Sequence, residues 1–233
     1  MTAVLARPKT EIQELPTELV NGDRLTQPEF HELYKRMPAN FRAELIGGIV
    51  YVSSPVKFPH AENQLPLGTL LTIYEASTPG VRAADNASVI LGKANEPQPD
   101  LHLRLLPEVG GRVVPTTEGF LKGAPEFVCE ISDSSRSLDL NAKRGQYLTA
   151  GVFEYLVLNL RNKRLHWFDL TTDKELSPDA DGIIRVHTFP GLWIEAPAVL
   201  ARNLPQMLKT LNIGLATLEH TAFVQKLAAA RKS

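Results

Sequence analysis

The sequence predicts an α/β fold, and three observations support this prediction. Short β-rich runs alternate along the chain with longer stretches of helical character. Seventeen prolines and fifteen glycines mark frequent turns, as expected for a strand-rich α/β protein. Hydrophobic residues make up 43% of the 233 residues, which is enough for a real core in one large domain or in one domain with extensions.

The first third of the chain predicts two helices and a hairpin. Residues 1–25 mix proline, threonine and charged residues without a period, which indicates a flexible or loosely docked N-terminal arm. Within residues 25–37, Thr26 is followed by Pro28 and Glu29, a combination typical of helix starts. Residues 41–54 contain two β-rich runs around a Gly-Gly pair, which predicts a hairpin with a two-residue turn. Residues 59–77 look helical despite an internal proline.

The middle of the chain is predicted to be extended. Strands are expected within residues 81–92 and 97–106. Residues 107–124 form a loop rich in glycine and proline, which could contain a short strand at 113–114. The apolar run EFVCEIS at residues 126–132 predicts a buried strand that carries one central carboxylate.

The last part of the chain alternates again between helix and strand. Residues 137–151 predict a helix, which Ser137 or Asp139 can cap and a glycine can end. Three further strands are expected at residues 154–160, 164–170 and 183–189. Residues 200–232 supply one or two C-terminal helices.

The charge balance bears on nucleic-acid binding, and the cysteine content bears on the cellular compartment. Lys plus Arg number 25 and Asp plus Glu number 26, so there is no obvious basic stripe for strong non-specific nucleic-acid binding. The single cysteine, Cys129, excludes an internal disulfide and fits a reducing cytoplasm. No apolar stretch has the length of a signal peptide or a membrane span, so we expect a soluble, cytoplasmic protein.

Two carboxylates are candidates for chemistry because of their strand positions. Strand side chains alternate between faces, so Asp100 shares a face with His102 and Arg104, and Glu130 shares one with Ser132. A carboxylate in mid-sheet is costly unless it is paired or binds a metal. Acids on adjacent strands would form a hard-oxygen site for Mg²⁺ or Mn²⁺. The alternative remains open that Asp100 belongs to a turn and Glu130 caps a surface strand.

Ser132 stands two residues after Glu130, where a metal-dependent nuclease usually carries a lysine. On the following predicted helix, Lys143 shares a face with Gln146 and Tyr147, three and four residues later. This helix could bring Lys143 into the space that a lysine at position 132 would fill. The alternative is a solvated surface lysine, the usual environment of this residue type.

Several short segments occur in a characteristic order along the chain: ELIGGIVYVSSP, a histidine (His60) that opens a helix, QPD, EFVCEIS, and the pattern K...Y...GV.EY. This ordered set resembles the Uma-two family of restriction-endonuclease-like proteins, within the PD-(D/E)XK nuclease superfamily, over residues 26–195. Each motif is short, so the resemblance depends on their order and on the longer stretch AGVFEYLVL.

The resemblance implies a restriction-endonuclease-like domain at residues 26–197, with a mixed central β-sheet flanked by helices. The arm at residues 1–25 would precede this domain, and a C-terminal helical extension at residues 198–233 would follow it. The resemblance also implies Mg²⁺ or Mn²⁺ as the cofactor, DNA as the partner and a homodimer. More apolar positions in the C-terminal helix than a one-sided surface helix needs also favour the homodimer.

The site residues that the resemblance implies have distinct expected roles. The expected metal ligands are Asp100, Glu130 and the backbone carbonyl of Ile131, and Lys143 is the relocated lysine. Glu44 matches an acid of the family that would lie near the metal. The expected substrate contacts are His60, Gln146 and Tyr147.

The chain departs from the family pattern at three places. Ser132-Asp133 replaces a frequent Ser-Pro, Ala43 replaces a frequent tyrosine, and Leu156 replaces the tryptophan of a Tyr-Trp pair. These changes affect substrate contacts more than metal binding. The leading hypothesis is therefore a Mg²⁺-dependent DNA endonuclease. The alternative is a dimeric or nucleic-acid-contacting binding module that keeps the fold with weak or no metal affinity.

Overall fold

Short strands and helices alternate along residues 18–133 and 135–231, which are the residues that the computed structural model describes. The strands are β1 (Ala43–Ile46), β2 (Ile49–Val52), β3 (Val81–Asp85), β4 (Val89–Ile90), β5 (Leu101–Leu105), β6 (Val114–Pro115), β7 (Leu121–Lys122), β8 (Phe127–Ser132), β9 (Glu154–Asn159), β10 (Arg164–Asp169), β11 (Lys174–Leu176), β12 (Ile183–Arg185) and β13 (Trp193–Glu195). The helices are α1 (Gln27–Tyr34), α2 (Phe58–Ser77), α3 (Arg144–Ala150), α4 (Ala196–Leu200), α5 (Leu204–Leu215) and α6 (Leu218–Ala230). A 3₁₀ turn covers Pro107–Val109, and a π-helical turn at Leu138–Lys143 leads directly into α3.

The central sheet has the strand order β11-β10-β9-β8-β5-β3. Strands β8 and β9 run parallel, whereas the other neighbouring pairs are antiparallel. Small sheets form from β1-β2, from β12-β13 and from β4-β7-β6. The α/β class and the mixed central sheet with flanking helices are therefore confirmed, and β8 lies in the interior of that sheet.

The two faces of β8 contribute to different clusters. Phe127, Cys129 and Ile131 belong to the main hydrophobic core, which also contains apolar residues of α2, α5 and α6. Val128, on the opposite face, belongs to a second cluster that includes Tyr147 in the middle of α3. This alternation places Glu130 on the second face, as the period of two in the sequence predicts.

The β1–β2 hairpin packs with α1 in a third hydrophobic cluster around Phe30, Leu33 and Leu45. Leu45 and Glu96 exchange two backbone hydrogen bonds of 3.2 and 2.8 Å. These bonds join the hairpin to the segment that leads into β5. The hairpin thereby carries the neighbouring residue Glu44 towards the central sheet.

Several predicted elements differ from the structure at their ends. The strand predicted within residues 97–106 is limited to Leu101–Leu105, and Pro97 and Pro99 lack the N–H that a ladder needs. The strand predicted at residues 183–189 is limited to Ile183–Arg185 and pairs with β13, which we did not predict. The predicted helix after β8 begins as a π-helical turn.

The two predicted extensions contact the rest of the chain where the structure describes them. Residues 1–17 of the predicted arm lie outside the described residues, whereas Leu19 is buried and Arg24 forms a bridge with Ile49 of the hairpin. In the predicted C-terminal extension, Met207 and Leu227 are buried in the main core. None of the helices in the described part of the chain combines the length and apolar character of a membrane span.

Candidate active site

Asp100 and Glu130 meet where β5 begins beside β8. Asp100 directly precedes β5, and its Oδ2 atom accepts a 2.7 Å hydrogen bond from the backbone N–H of Ile131. In return, Glu130 Oε2 accepts a 3.3 Å hydrogen bond from the backbone N–H of Asp100. The side chain of Asp100 is 14% exposed and that of Glu130 is 3% exposed. The two strands therefore hold the carboxylates side by side, with Asp100 nearer to solvent.

Lys143 lies among carboxylates rather than in solvent. Its Nζ atom is 2.9 Å from Glu44 Oε1 and 3.1 Å from Glu130 Oε1. Asp139 Oδ1 lies further away, at 3.9 Å. The lysine side chain is only 5% exposed. The alternative of a solvated surface lysine is therefore wrong.

The π-helical turn explains how Lys143 reaches this place. Asp139 and Lys143 lie four residues apart within the turn, and both are buried against the sheet. The chain then continues into α3, where the hydroxyl of Tyr147 donates a 2.9 Å hydrogen bond to Glu130 Oε1. π-Helical turns are rare and occur frequently at functional sites, because they change the direction of side chains within a helix.

Glu44 reaches the lysine from the β1–β2 hairpin. Its Oε1 atom accepts a 2.7 Å hydrogen bond from the backbone N–H of Gln98 as well as the contact from Lys143. The side-chain amide of Gln98 in turn donates to the backbone carbonyl of Ala43 at 3.1 Å. Glu44 is thus fixed by the same segment that leads to Asp100.

His60 contacts Asp100 from the first turn of α2. Its Nε2 atom lies 3.1 Å from Asp100 Oδ1 and 3.2 Å from Gln64 Oε1. The hydrogen bond with Asp100 raises the pKa of His60, although burial acts in the opposite direction. Gln64 also donates a 3.0 Å hydrogen bond to the backbone carbonyl of Asp100. We did not predict Gln64, although its four-residue spacing from His60 on a helix was the available signal.

Gln146 and Tyr147 were expected together as substrate contacts, but their surroundings differ. Gln146 Oε1 accepts a 2.9 Å hydrogen bond from Asn95, whose own Oδ1 accepts a 2.7 Å bond from the backbone N–H of Gly47. Gln146 therefore supports the turn of the hairpin. Tyr147 is 1% exposed and hydrogen-bonds to Glu130.

Asp139 is the carboxylate that sequence reasoning treated only as a helix cap. It is 2% exposed, and its Oδ2 atom accepts a 2.5 Å hydrogen bond from Ser135 Oγ. Its backbone carbonyl accepts a 3.0 Å hydrogen bond from the hydroxyl of Tyr155. The signal that could have identified Asp139 is its four-residue spacing to Lys143.

Burial and mutual repulsion determine the charges of this cluster. Burial raises the pKa of Glu130 well above its usual range, Lys143 opposes this shift, and Asp100, Asp139 and Glu44 add to it. Burial also raises the pKa of Asp139. Burial alone would lower the pKa of Lys143, but the carboxylates, Glu130 first, more than offset this and hold it well above its usual value. The lysine therefore stays charged, and several carboxylates share it.

Comparisons with known proteins now identify the family. The profile of the Uma2 family, described as "Putative restriction endonuclease", matches residues 27–199. The chain belongs to the Uma2 family. Among solved structures, this Uma2 protein is similar to the crystal structure of "a putative nuclease belonging to DUF820" from Anabaena variabilis, with a TM-score of 0.57 and 12% sequence identity. That similarity covers 73% of this chain and 96% of the other chain, and no match was found among curated proteins.

Family membership supports a nuclease, that is, a hydrolase of phosphodiester bonds acting on nucleic acid. At 12% identity, the likeness to the Anabaena protein shows the fold alone. Restriction-endonuclease-like families generally use divalent metals. The side chains of this Uma2 site can therefore be compared with the ligands that a divalent cation prefers.

The donor atoms of the Uma2 site suit a hard divalent cation. Within residues 18–133 and 135–231, no group of three or more His, Cys, Asp or Glu side chains is spaced so that it could hold a metal ion. The ammonium of Lys143 lies between Glu44 and Glu130 instead. Carboxylate oxygens are nevertheless the ligands that Mg²⁺ and Mn²⁺ prefer, and the carboxylates here outnumber the buried lysine. The chemistry of these donors, rather than their present spacing, therefore fits a divalent ion.

Proposed function

We propose that this protein is a DNA endonuclease that hydrolyses phosphodiester bonds with Mg²⁺ or Mn²⁺. The observation that carries the proposal is the side-by-side arrangement of Asp100 and Glu130, next to a buried lysine. Asp100, Glu130 and the backbone carbonyl of Ile131 would hold the ion. When bound, the ion would polarise the scissile phosphate and ease deprotonation of the attacking water.

Asp100 and Glu130 contribute a preorganised ligand pair. Backbone N–H groups at Ile131 and at Asp100 itself fix one oxygen of each carboxylate. His60 contacts the other carboxylate oxygen of Asp100, and Tyr147 contacts the other carboxylate oxygen of Glu130. Because these contacts come from the sheet and from two helices, little reorganisation is needed when the ligands act.

Lys143 contributes positive charge at the reacting phosphate. Its ammonium is charged and nearly excluded from water, so its field acts in a medium of low polarity. We assign to it the role that a lysine at position 132 has in related nucleases, namely orienting the water or offsetting charge on the pentacovalent phosphate.

His60 is the group best placed to contact DNA beside the ligands. Its side chain is 20% exposed, and its Nε2 atom lies 3.1 Å from Asp100, so it reaches solvent directly beside the proposed ligands. Glu44 acts one step further from the substrate, because it binds Lys143 rather than facing solvent.

The direct test is incubation of the protein with supercoiled plasmid and Mg²⁺ or Mn²⁺, with and without a chelator. We expect relaxed and linear products that the chelator abolishes. Glu130→Gln should lose the activity, and Glu154→Gln is the matched control, because Glu154 is equally buried but contacts neither Lys143 nor Asp100. Cleavage by the Glu130→Gln protein at the parent rate would contradict the proposal.

A binding module of the same fold is the second candidate function. It is favoured by the position of Lys143, whose ammonium already neutralises two of the carboxylates. Such a protein would bind nucleic acid without cutting it and would take up little metal. Calorimetric titration with Mn²⁺ separates the two candidates: heat of binding at micromolar to millimolar Mn²⁺ supports the nuclease, and its absence supports the binding module.

We further propose that the protein works as a homodimer in the cytoplasm. Most apolar residues of α5 and α6 pack on the chain's own core, but Ile213 is 51% exposed and Leu218 is 84% exposed at the junction of these helices. Sedimentation at micromolar concentration should give the mass of two chains. Leu218→Glu should shift this to one chain, and a monomeric parent protein would refute the dimer.

A further inference from the structure

We propose that Asp139 is the positioning residue for Lys143. When Glu130 binds a divalent cation, the ammonium of Lys143 moves from Glu130 to Asp139. This inference deepens the proposed function and rests on it, because it takes Glu130 to be a metal ligand. It assigns a role to a carboxylate outside the expected ligand set. It also explains how a buried lysine can share a site with a second cation.

The oxygens of Glu130 already accept three hydrogen bonds. Its Oε1 atom already accepts hydrogen bonds from Lys143 (3.1 Å) and from the hydroxyl of Tyr147 (2.9 Å), and Oε2 accepts one from the backbone of Asp100 (3.3 Å). A carboxylate has about four lone-pair positions, so little acceptor capacity remains. A divalent ion on Glu130 must therefore either displace a donor such as Lys143 from Oε1 or take the one position left on Oε2, beside the ammonium on Oε1.

Electrostatic repulsion adds to this competition. An ammonium and a divalent ion on one carboxylate would lie within a few ångströms of each other, in a site that is nearly excluded from water. Like charges at this range repel strongly because low polarity weakens screening. The ammonium must therefore move away from Glu130, yet its buried stem cannot carry it out to solvent without losing the other carboxylates.

Asp139 is the acceptor that can receive the lysine. Ser135 fixes its Oδ2 atom, whereas Oδ1 lies 3.9 Å from Lys143 Nζ, which is too long for a hydrogen bond. Charge-assisted hydrogen bonds of this type are about 2.7–2.9 Å long, so a shift of about 1 Å completes the contact. Asp139 thus has an oxygen directed at the lysine that the lysine does not yet use.

The backbone favours this exchange. Asp139 and Lys143 belong to the same π-helical turn, so their separation does not depend on movement between elements. Glu44 can keep its 2.9 Å contact throughout, because it is held from the hairpin by Gln98. The lysine would pass from the pair Glu44 and Glu130 to the pair Glu44 and Asp139.

The test is a double-mutant cycle on metal affinity, measured by calorimetric titration with Mn²⁺. The four proteins are the parent, Asp139→Asn, Lys143→Met and the double variant. In the parent background, Asp139→Asn should weaken Mn²⁺ binding about tenfold, because the lysine then stays on Glu130; coupling of this size is normal for residues in contact. Lys143→Met should strengthen binding, because it removes a competing charge.

The decisive comparison is the effect of Asp139→Asn in the two backgrounds. If Asp139 acts through the lysine, the effect should shrink to within about twofold when residue 143 is methionine, since no ammonium remains to be positioned. An equal loss in both backgrounds would overturn the proposal and make Asp139 a direct ligand or a general source of negative charge. No loss in either background would also overturn it.

A second measurement covers the case in which Lys143→Met fails to fold. In a crystal structure of the parent protein with Mn²⁺, the distance from Lys143 Nζ to Asp139 Oδ1 should fall below about 3.2 Å, the limit of a good hydrogen bond. The distance to Glu130 Oε1 should lengthen beyond it. A lysine that remains on Glu130 beside bound Mn²⁺ would refute the exchange.

Failure of this inference can be separated from failure of the proposed function. If the parent protein binds no Mn²⁺ and leaves plasmid intact, the proposed function falls and the exchange falls with it. If the parent binds Mn²⁺ and cleaves, but the effects of the two substitutions are simply additive, only the role of Asp139 is wrong.

Discussion

Glu130 and Glu154 are buried glutamates on neighbouring strands, but Glu154 has neutral hydrogen-bond donors around it and Glu130 has charged groups. Each is 2% exposed. Glu154 accepts hydrogen bonds from three neutral donors: the indole of Trp167 (2.9 Å) and the backbone N–H groups of His187 (3.1 Å) and Thr188 (2.6 Å). Glu130 instead shares a charged lysine with other carboxylates, and its pKa is raised well above its usual range, first of all by burial.

This difference shows that burial alone does not identify a functional acid. Glu154 joins the sheet to the loop after β12 and is satisfied by groups whose charge does not change. Glu130 is held in an environment that favours its neutral form and that would bind an additional cation. The charge of the neighbours, rather than exposure, therefore separates a structural carboxylate from a candidate catalytic one.

The largest expected effect comes from changing the two glutamates to glutamine. Glu130→Gln should lower plasmid cleavage at least about 10³-fold, because a metal ligand and its charge are lost. Its stability in chelator should be unchanged or higher, since one of several repelling carboxylates is gone. Glu154→Gln should keep cleavage per folded molecule within about twofold but lose about 1–3 kcal/mol, the cost of disturbing a buried hydrogen-bond network.

Cleavage rates and urea unfolding of the two variants measure both expectations. The contrast between the glutamates fails if Glu154→Gln loses activity while remaining folded. It also fails if Glu130→Gln is the less stable of the two proteins.

The next effect concerns the shared lysine. Lys143→Ala should lower cleavage about 10²–10³-fold, the scale for removing one preorganised charged group. It should also cost about 3–5 kcal/mol at neutral pH, because buried carboxylates lose their counter-charge. Lys226→Ala is the matched control: Lys226 is also on a helix but is exposed, so neither quantity should change.

Adding Ser132→Lys to Lys143→Ala sharpens this prediction. Ser132 lies on the same strand face as Glu130, and it is fully buried. Partial recovery of cleavage would show that positions 132 and 143 serve one function. If Lys143→Ala cleaves at the parent rate, the binding-module function gains support.

A smaller effect is expected at His102, a buried titratable group without the donors that Glu154 has. It is fully buried, and neither ring nitrogen has a partner in the described part of the chain. Burial lowers the pKa of His102 to about 4. The charge of Arg104 adds to this shift by a smaller amount, and that of Asp85 opposes it. The unfolded chain, with a histidine pKa of about 6.5, therefore binds more protons than the folded chain between these two values.

Stability should consequently fall as the pH decreases from about 6.5 towards 4. The loss can reach about 3 kcal/mol, because one pKa unit corresponds to about 1.4 kcal/mol. His102→Leu should flatten this part of the profile, which urea unfolding in chelator at several pH values measures. An unchanged slope in the variant would assign the acid sensitivity to other groups.

The sequence allows the central part of the fold and most members of the candidate site to be predicted for physical reasons. Strand alternation fixes which face Glu130 occupies, and helical spacing puts Lys143 and Tyr147 on one side. The convergence of Glu44 with them depends on backbone bonds between the hairpin and the segment before β5, which no local pattern reports. The part that Asp139 plays in the cluster depends on a π-helical turn that sequence periodicity does not reveal. The contact of Gln146 with Asn95 joins residues that are 51 positions apart, which no local pattern reports either.

Cys129 gives the protein an internal reporter on its central strand. The thiol is 1% exposed on β8, immediately before Glu130 and on the opposite face, and burial raises its pKa well above the usual value. An alkylating reagent can therefore react only after β8 has opened, since it requires an accessible thiolate. The rate of labelling measures the free energy of that opening without any introduced probe. Any ion that Glu130 binds should slow the labelling in proportion to its occupancy, so the reverse side of the strand can record what happens at the site.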